Sequence, residues 1–322
     1  MDKSRGMKTW PGTLAFSLLT LVAVCGAAAM ARSTRQSGRS RTSHRTVSAV
    51  FTAKATSARL ARGRYLVETV AGCFNCHSEH EYVHGQWVAK PGMKGAGQIF
   101  RQVSLPPGSR LVAPNITPDR ATGIGTWTAA QIEEAVQRGV AKGGRPLFDL
   151  MPYWQFRVLT PEDMKSIIVF LRSIPPVHHV LPPTKMPFPV HVQMNNDLVP
   201  PLAKNASPEV RRGWYLTRIA GCEDCHTAVM PNGKRNPAMM FAGGMRFSGP
   251  FGVAVSLNIT PSPEGIGSMT EAEFARTLRT GRVDGTGREL SPIMPFDNFK
   301  NLKPSDIRAI YAYLRTVPPV PR

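Results

Sequence analysis

The chain has 322 residues, long enough for two domains, and its 42% apolar content is ordinary for a folded protein that needs no disulfide framework. The formal charge is +19, but nine Lys/Arg against a single acid, Asp2, crowd into residues 1–57, which leaves +11 on the remainder. No aromatic-basic interleaving or helix-turn-helix pattern accompanies this charge, which argues against nucleic acid as a partner.

Residues 1–31 read as an export signal peptide or a retained membrane anchor. Lys3, Arg5 and Lys8 form a positive start, an apolar run follows from about Thr13 to Met30, and Ala29-Met30-Ala31 offers a small-x-small cleavage site. The run is slightly long for a cleaved signal and near the lower limit for a spanning helix. Val24 is bulky where a lipoprotein reading of Cys25 would want a small residue. In either form the remainder is expected in the periplasm or on the outer face of the cytoplasmic membrane. Residues 32–57, rich in Ser, Thr and Arg without apolar periodicity, read as a disordered basic linker. Such a segment is either simply solvated or touches anionic lipid headgroups.

From there the chain repeats itself. Arg62-Gly63-Arg64-Tyr65-Leu66 recurs as Arg212-Gly213-Trp214-Tyr215-Leu216, Asn115-Ile116-Thr117-Pro118 as Asn258-Ile259-Thr260-Pro261, and Met151-Pro152 as Met294-Pro295. The offset is 149 residues at the cysteine pairs and 143 at the methionines, so the first copy carries six extra residues, most simply as a loop insertion within His80–Leu105. The repeat divides the chain into a first domain at 58–178, a proline-rich extended connector at 179–206 and a second domain at 207–322.

Within each copy the pattern is helical. A first helix runs from about Ser57 into the cysteine pair, with Leu60, Tyr65, Leu66 and Val70 on one face. A middle helix opens at a capping box, Thr128 with Gln131 and, in the second copy, Thr270 with Glu273. The last helix has Thr160 as N-cap and Pro161 at its first position, with Ile167, Phe170 and Leu171 facing inward; its counterpart starts at Pro304 and carries Ile307, Ile310, Tyr311 and Leu314. Gly63 and Gly213 are placed to let first and last helices cross closely opposite Phe170 and Tyr313. No alternating runs suggest strands, so the expected fold is all-α, in two tandem domains.

The cysteines carry the chemistry. Cys73-Phe74-Asn75-Cys76-His77 and Cys222-Glu223-Asp224-Cys225-His226 share the form Cys-x-x-Cys-His. Two thiols so spaced can form thioethers to the two vinyl groups of one haem, while the next residue, His77 or His226, ligates the iron. A disulfide within each pair leaves both histidines unexplained. A four-cysteine zinc site would want the pairs far closer together, and a thioredoxin-like motif would need a βαβ context. The expected cofactors are two covalently bound haem c groups, and the two expected domains are then of the class I cytochrome c type.

Of fourteen methionines, the duplication selects Met151 and Met294 as sixth ligands, soft neutral thioethers that raise the potential. His80, His84, His178, His179 and His191 have no counterparts between copies and read as surface or packing residues, as do Met239, Met240 and Met245. Arg145 and Arg288 correspond to one another and suit either haem propionates or plain surface positions. With His/Met ligation at both irons no position stays open, so no catalytic residue is assigned and outer-sphere electron transfer is expected.

The combination Arg-Gly-x-Tyr-Leu, Cys-x-x-Cys-His, Asn115-Ile116-Thr117-Pro118, Thr122-Gly123-Ile124-Gly125-Thr126-Trp127-Thr128 and a Met-Pro loop resembles the cytochrome c subunits of membrane-bound alcohol, gluconate and aldehyde dehydrogenases. The likeness covers about residues 58–322 and includes Phe241-Ala242-Gly243-Gly244 and Gly265-Ile266-Gly267 of the second copy. It implies an electron-relay subunit serving a partner dehydrogenase and a terminal acceptor. Those subunits carry three haem domains where this chain has two. The competing functions are a dihaem peroxidase or thiosulfate dehydrogenase, or a haem subunit of a terminal oxidase.

Overall fold

A computed structural model describes residues 55–84, 86–101, 105–192, 199–230 and 234–321. The expected signal or anchor at 1–31, with Cys25, and the basic linker as far as residue 54 lie outside the described residues. Among the described residues no helix is long and apolar enough to cross a membrane.

The first repeat opens with α1 (Ser57–Tyr65), capped by the Thr56 side chain, which accepts from the Arg59 amide. The helix does not stop there: Leu66–Val70 continues it as a π-helical turn, in which the Ala71 N–H reaches back to the Leu66 carbonyl at 2.8 Å. Counting residues explains the turn. Arg62-Gly63 and Arg212-Gly213 are 150 apart whereas the cysteine pairs are 149 apart, so this copy holds one extra residue between the two landmarks. A widened turn absorbs it without shifting either end.

Next come α2 (Cys73–Cys76), two hairpins formed by β1 (His80–Val83) with β2 (Gln86–Ala89) and by β3 (Gln98–Phe100) with β4 (Leu111–Ala113), then α3 (Ala129–Arg138), the small ladder of β5 (Val140–Ala141) with β6 (Arg145–Pro146), α4 (Tyr153–Phe156) and α5 (Pro161–Ser173). The second repeat runs α6 (Pro208–Ala220), α7 (Cys222–His226), the hairpin of β7 (Arg246–Gly249) with β8 (Gly252–Val255), α8 (Glu271–Thr280), α9 (Phe296–Phe299) and α10 (Pro304–Leu314). Both capping boxes form, and Thr160 caps α5 with Pro161 at its first position.

The all-α expectation is therefore wrong. Among the described residues four two-stranded antiparallel sheets sit in the segments between helices. Each strand is only two to four residues long, too short for alternation to register as a period. What holds them is local, as where the Tyr82 and Trp87 rings meet across the first hairpin at 5.2 Å. The six extra residues also fall differently from a single loop insertion. Gly97 and Gly243 are equivalent, since each donates its N–H to the carbonyl of the motif histidine, at 2.9 and 2.7 Å. Three of the extra residues precede Gly97 and three lie between Gly97 and Asn115.

The core of each repeat is the crossing of its first and last helices. α1 lies against α5 at Gly63, where a Cβ would run into the Ser166 carbonyl and the Phe170 side chain. α6 meets α10 at Gly213, where a Cβ would strike the Ala309 carbonyl and Tyr313. Around these contacts Leu66, Val70, Ile167 and Phe170, and likewise Leu216, Ile219, Ile307 and Leu314, are buried, each contributing about 1.5–3 kcal/mol of transfer free energy.

The described residues form one compact unit, tied together by contacts that obey the internal repeat. The Tyr65 hydroxyl donates to Asp306 Oδ2 (2.6 Å) and accepts from the Lys303 N–H (3.1 Å); the Tyr215 hydroxyl donates to Asp163 Oδ2 (2.5 Å) and accepts from the Thr160 N–H (3.3 Å). Each aspartate also receives the arginine of its own repeat, Arg212 on Asp306 and Arg62 on Asp163. The connector is bound at both ends: Arg110 pairs with Lys185 and Thr184 with Val112, while Trp214 Nε1 and the Tyr313 hydroxyl donate to the carbonyls of Pro200 and Pro201.

Candidate functional site: two equivalent cavities

Each repeat encloses a cavity, of about 570 Å³ in the first and about 880 Å³ in the second. Both fall in the size range of small-molecule and cofactor sites. Cys73, Cys76, His77 and Met151 line the first; Cys222, Cys225, His226 and Met294 line the second. All eight residues singled out by spacing are thus brought together in two matching sets of four.

The helices explain the placement. Gly72 and Gly221 adopt left-handed backbone (φ 57° and 70°), which ends the first helix of each repeat and turns the chain into the short helix bearing the cysteines. Each methionine sits in a tight turn before Pro152 or Pro295, its carbonyl accepting from the amide of Tyr153 or Phe296 at 2.8 Å, so it is fixed at the start of α4 or α9.

Each motif histidine is held through one ring nitrogen. His77 Nδ1 is 2.8 Å from the Pro114 carbonyl and His226 Nδ1 is 2.7 Å from the Leu257 carbonyl. A carbonyl only accepts, so Nδ1 carries the proton and Nε2 keeps its lone pair. Burial lowers both pKa values, which keeps the rings neutral. Burial also pushes the Cys73 thiol up to about 12; the Cys222 thiol is raised too, first by burial and then by the neighbouring Glu223 carboxylate. Such thiols are poorly suited to act as thiolate ligands for a metal.

No protein-family model matches the chain. It is 31% identical over 294 residues to the alcohol dehydrogenase (quinone) cytochrome c subunit of Gluconacetobacter polyoxogenes, covering 84% of this chain and 58% of that protein. It is 30% identical over 278 residues to the fructose dehydrogenase cytochrome subunit of Gluconobacter japonicus, covering 80% and 52%. A diheme cytochrome c-type protein of Cereibacter sphaeroides shares 29% identity over 265 residues, covering 77% of this chain and 83% of that one. The chain is a relative of dehydrogenase cytochrome c subunits. It spans little more than half the length of the two such subunits.

Other features of this cytochrome relative sort themselves by distance from the cavities. Arg145 and Arg288 each line one, at equivalent positions. None of His80, His84, His178, His179 and His191 lines either; His80 and His179 engage the carbonyls of Ser78 and Ala96, and His178 faces Asp119. Met240 is buried in the core.

Two contributors escaped the motif reading. Connector residues Val180–Thr184 line the first cavity, with Leu181 packed on Gly97; the only sequence cue was the proline run. Behind the second cavity, Arg218 Nη1 and Glu223 Oε1 lie 2.5 Å apart, and both side chains are buried. Burial drives the Glu223 carboxyl up to about 8, against the pull of Arg218.

Proposed function

We propose that the chain is a two-haem c-type cytochrome in two haem domains, 58–178 and 207–322, which relays electrons and does no bond-making chemistry on a substrate. The observation that carries this reading is the recurrence, in two cavities, of one set of side chains: two cysteines, a histidine with its Nε2 lone pair available, and a methionine.

These residues fit haem c. Cys73 with Cys76, and Cys222 with Cys225, would hold the haem vinyl groups as thioethers; His77 and His226 would ligate iron through Nε2, with Met151 and Met294 as the second protein ligands. Arg145 and Arg288 suit the propionates, by forked charge-assisted hydrogen bonds. A haem c iron takes up and gives back one electron at a time. The protein's part would be to exclude water and to keep the two sites in fixed relation, to which the paired Tyr–Asp contacts contribute. Peroxidase, thiosulfate dehydrogenase and oxidase readings each want an open or unusual ligand position, and no observation favours one.

The relatives, themselves cytochrome subunits of alcohol and fructose dehydrogenases, support a dehydrogenase as electron donor, with a further redox protein or membrane acceptor beyond it. Export through residues 1–31, and function in the periplasm or at the outer membrane face, belong to the same proposal. The test is production in a host that matures c-type cytochromes, followed by a pyridine haemochrome count. Two haems per chain are expected, falling to one in Cys73→Ala/Cys76→Ala and in Cys222→Ala/Cys225→Ala. One haem or none in the unaltered chain would overturn the reading.

A further inference from the structure

The residues enclosed by the two cysteine pairs differ in kind. In the first repeat they are Phe74 and Asn75, and Phe74 is buried with its ring 6.5 Å from that of Phe170. In the second they are Glu223 and Asp224, both acidic. Glu223 is 0% exposed and Arg218 3%; Arg218 sits one turn before Cys222 on α6 and also donates to the Trp154 carbonyl at 3.2 Å. Glu223 Oε2 makes no hydrogen bond among the described residues. Asp224 has its own counter-charge in Arg235, 3.3 Å away.

Removing a carboxylate and a guanidinium from water costs several kcal/mol per ion before their attraction offsets it. The first repeat fills the same place with a phenyl ring and needs no charge there. The second therefore keeps a buried ion pair that folding alone does not require. The pair has a direction: its negative end lies inside the Cys-x-x-Cys segment, its positive end one helical turn away. The negative end reaches the attachment point, since Glu223 helps to raise the Cys222 thiol.

We infer that the Arg218–Glu223 pair sets the redox potential of the second site, its carboxylate end lowering that potential below what a neutral residue at position 223 would allow. The inference rests on haem attachment at Cys222 and Cys225. A site that gains one electron gains one negative charge. A carboxylate within the cysteine-bearing segment opposes that gain, and the guanidinium, carried on the preceding turn of α6, compensates only in part. The first site has no such opposition, so the two sites of one duplicated fold differ in their hold on an electron.

The experiment is a potentiometric titration of the full two-haem protein at pH 9, above the Glu223 value, comparing wild type with Glu223→Gln and Glu223→Asp. The Cys222→Ala/Cys225→Ala variant lacks the second wave and so assigns the waves. Glu223→Gln is expected to raise the second midpoint and leave the first in place, and Glu223→Asp, which keeps the charge, to stay close to wild type. An unmoved second wave in Glu223→Gln, or equal shifts in both variants, would overturn the inference in favour of packing. So would loss of the second haem from Glu223→Gln, because the carboxylate would then hold the site together. A wild-type chain with fewer than two haems would instead undo the two-haem proposal.

Discussion

The Tyr65 hydroxyl of the first repeat donates to Asp306 of the second at 2.6 Å, and Tyr215 of the second returns the same bond to Asp163 of the first. The repeat in the sequence is therefore also a local two-fold relationship in space. It extends to the methionine turns: Asn298, on the helix that follows Met294, donates to the Glu68 carbonyl, while its equivalent Gln155, on the helix that follows Met151, faces Gly221. Each methionine-bearing turn thus leans on the cysteine-bearing segment of the other repeat, which makes the contact between repeats part of both sites.

Tyr65→Phe should destabilise the protein. Asp306 is fully buried, and among the described residues Arg212 and Tyr65 donate to its carboxylate. Loss of one hydrogen bond to a charged group costs about 1.5–3 kcal/mol. Tyr215→Phe should cost a similar amount, and the double variant should lose less than the sum of the two, because Arg62, which binds Asp163, also lies over the Tyr65 ring at 5.8 Å. Denaturant unfolding of both single variants and the double variant checks this. A double variant no weaker than either single one would show that the two contacts act as a single unit.

Acid should loosen the same contact from the Asp163 side. Burial pushes the Asp163 carboxyl up, but hydrogen bonds from Arg62 and Tyr215 outweigh it and hold the group below its usual value. A carboxyl depressed in the folded state contributes stability that is complete above its unfolded pKa, ~3.9, and is lost as pH falls through the folded value. Arg62→Gln removes the principal donor and should move the acid unfolding midpoint, followed by circular dichroism, to higher pH. Exposed Arg120→Gln is the control and should leave it in place.

The helical frame was legible because its signals are short-range. Thr128, Thr160 and Thr270 announce helix starts through their own side chains, and Gly63 and Gly213 stand out once the copies are aligned. The Cys-x-x-Cys-His runs and Met151 with Met294 were legible because duplication removes chance matches. The hairpins were not, since a four-residue strand such as His80–Val83 carries no period of its own. Nor was the π-helical turn at Leu66–Val70, which shows only when residues are counted between two aligned landmarks. The acidic pair between Cys222 and Cys225 carries no burial signal of its own, and the burial of Glu223 beside Arg218 shows only in the structure.

The connector should protect the first site and not the second. Val180–Thr184 line the first cavity, and Thr184 and Lys185 fasten the segment to Val112 and Arg110. Leu181→Ser would let water reach that cavity, and solvent favours the more highly charged oxidised state, so the first-site potential should fall. The second should stay where it is. Redox titration reads both, and equal shifts in the two waves would mean that the substitution disturbs the whole fold.

The methionines can be tested one at a time because each lies in its own cavity. Met294→Ala should lower the potential of the second site and leave the first nearly unchanged, since a thioether favours the reduced iron and its loss removes that preference. Met151→Ala should do the reverse. The optical spectrum supplies an independent readout: each variant should lose about half of its low-spin, methionine-ligated signal, and the double variant all of it. If Met294→Ala moves neither wave and keeps the full low-spin signal, Met294 is not a ligand. Its place in the cavity would then be that of a packing residue on the turn before α9. The contact between repeats gives the single substitutions a further use. Because α9 leans on the first repeat through Asn298, a Met294→Ala shift in the first wave would measure how strongly that contact couples the sites.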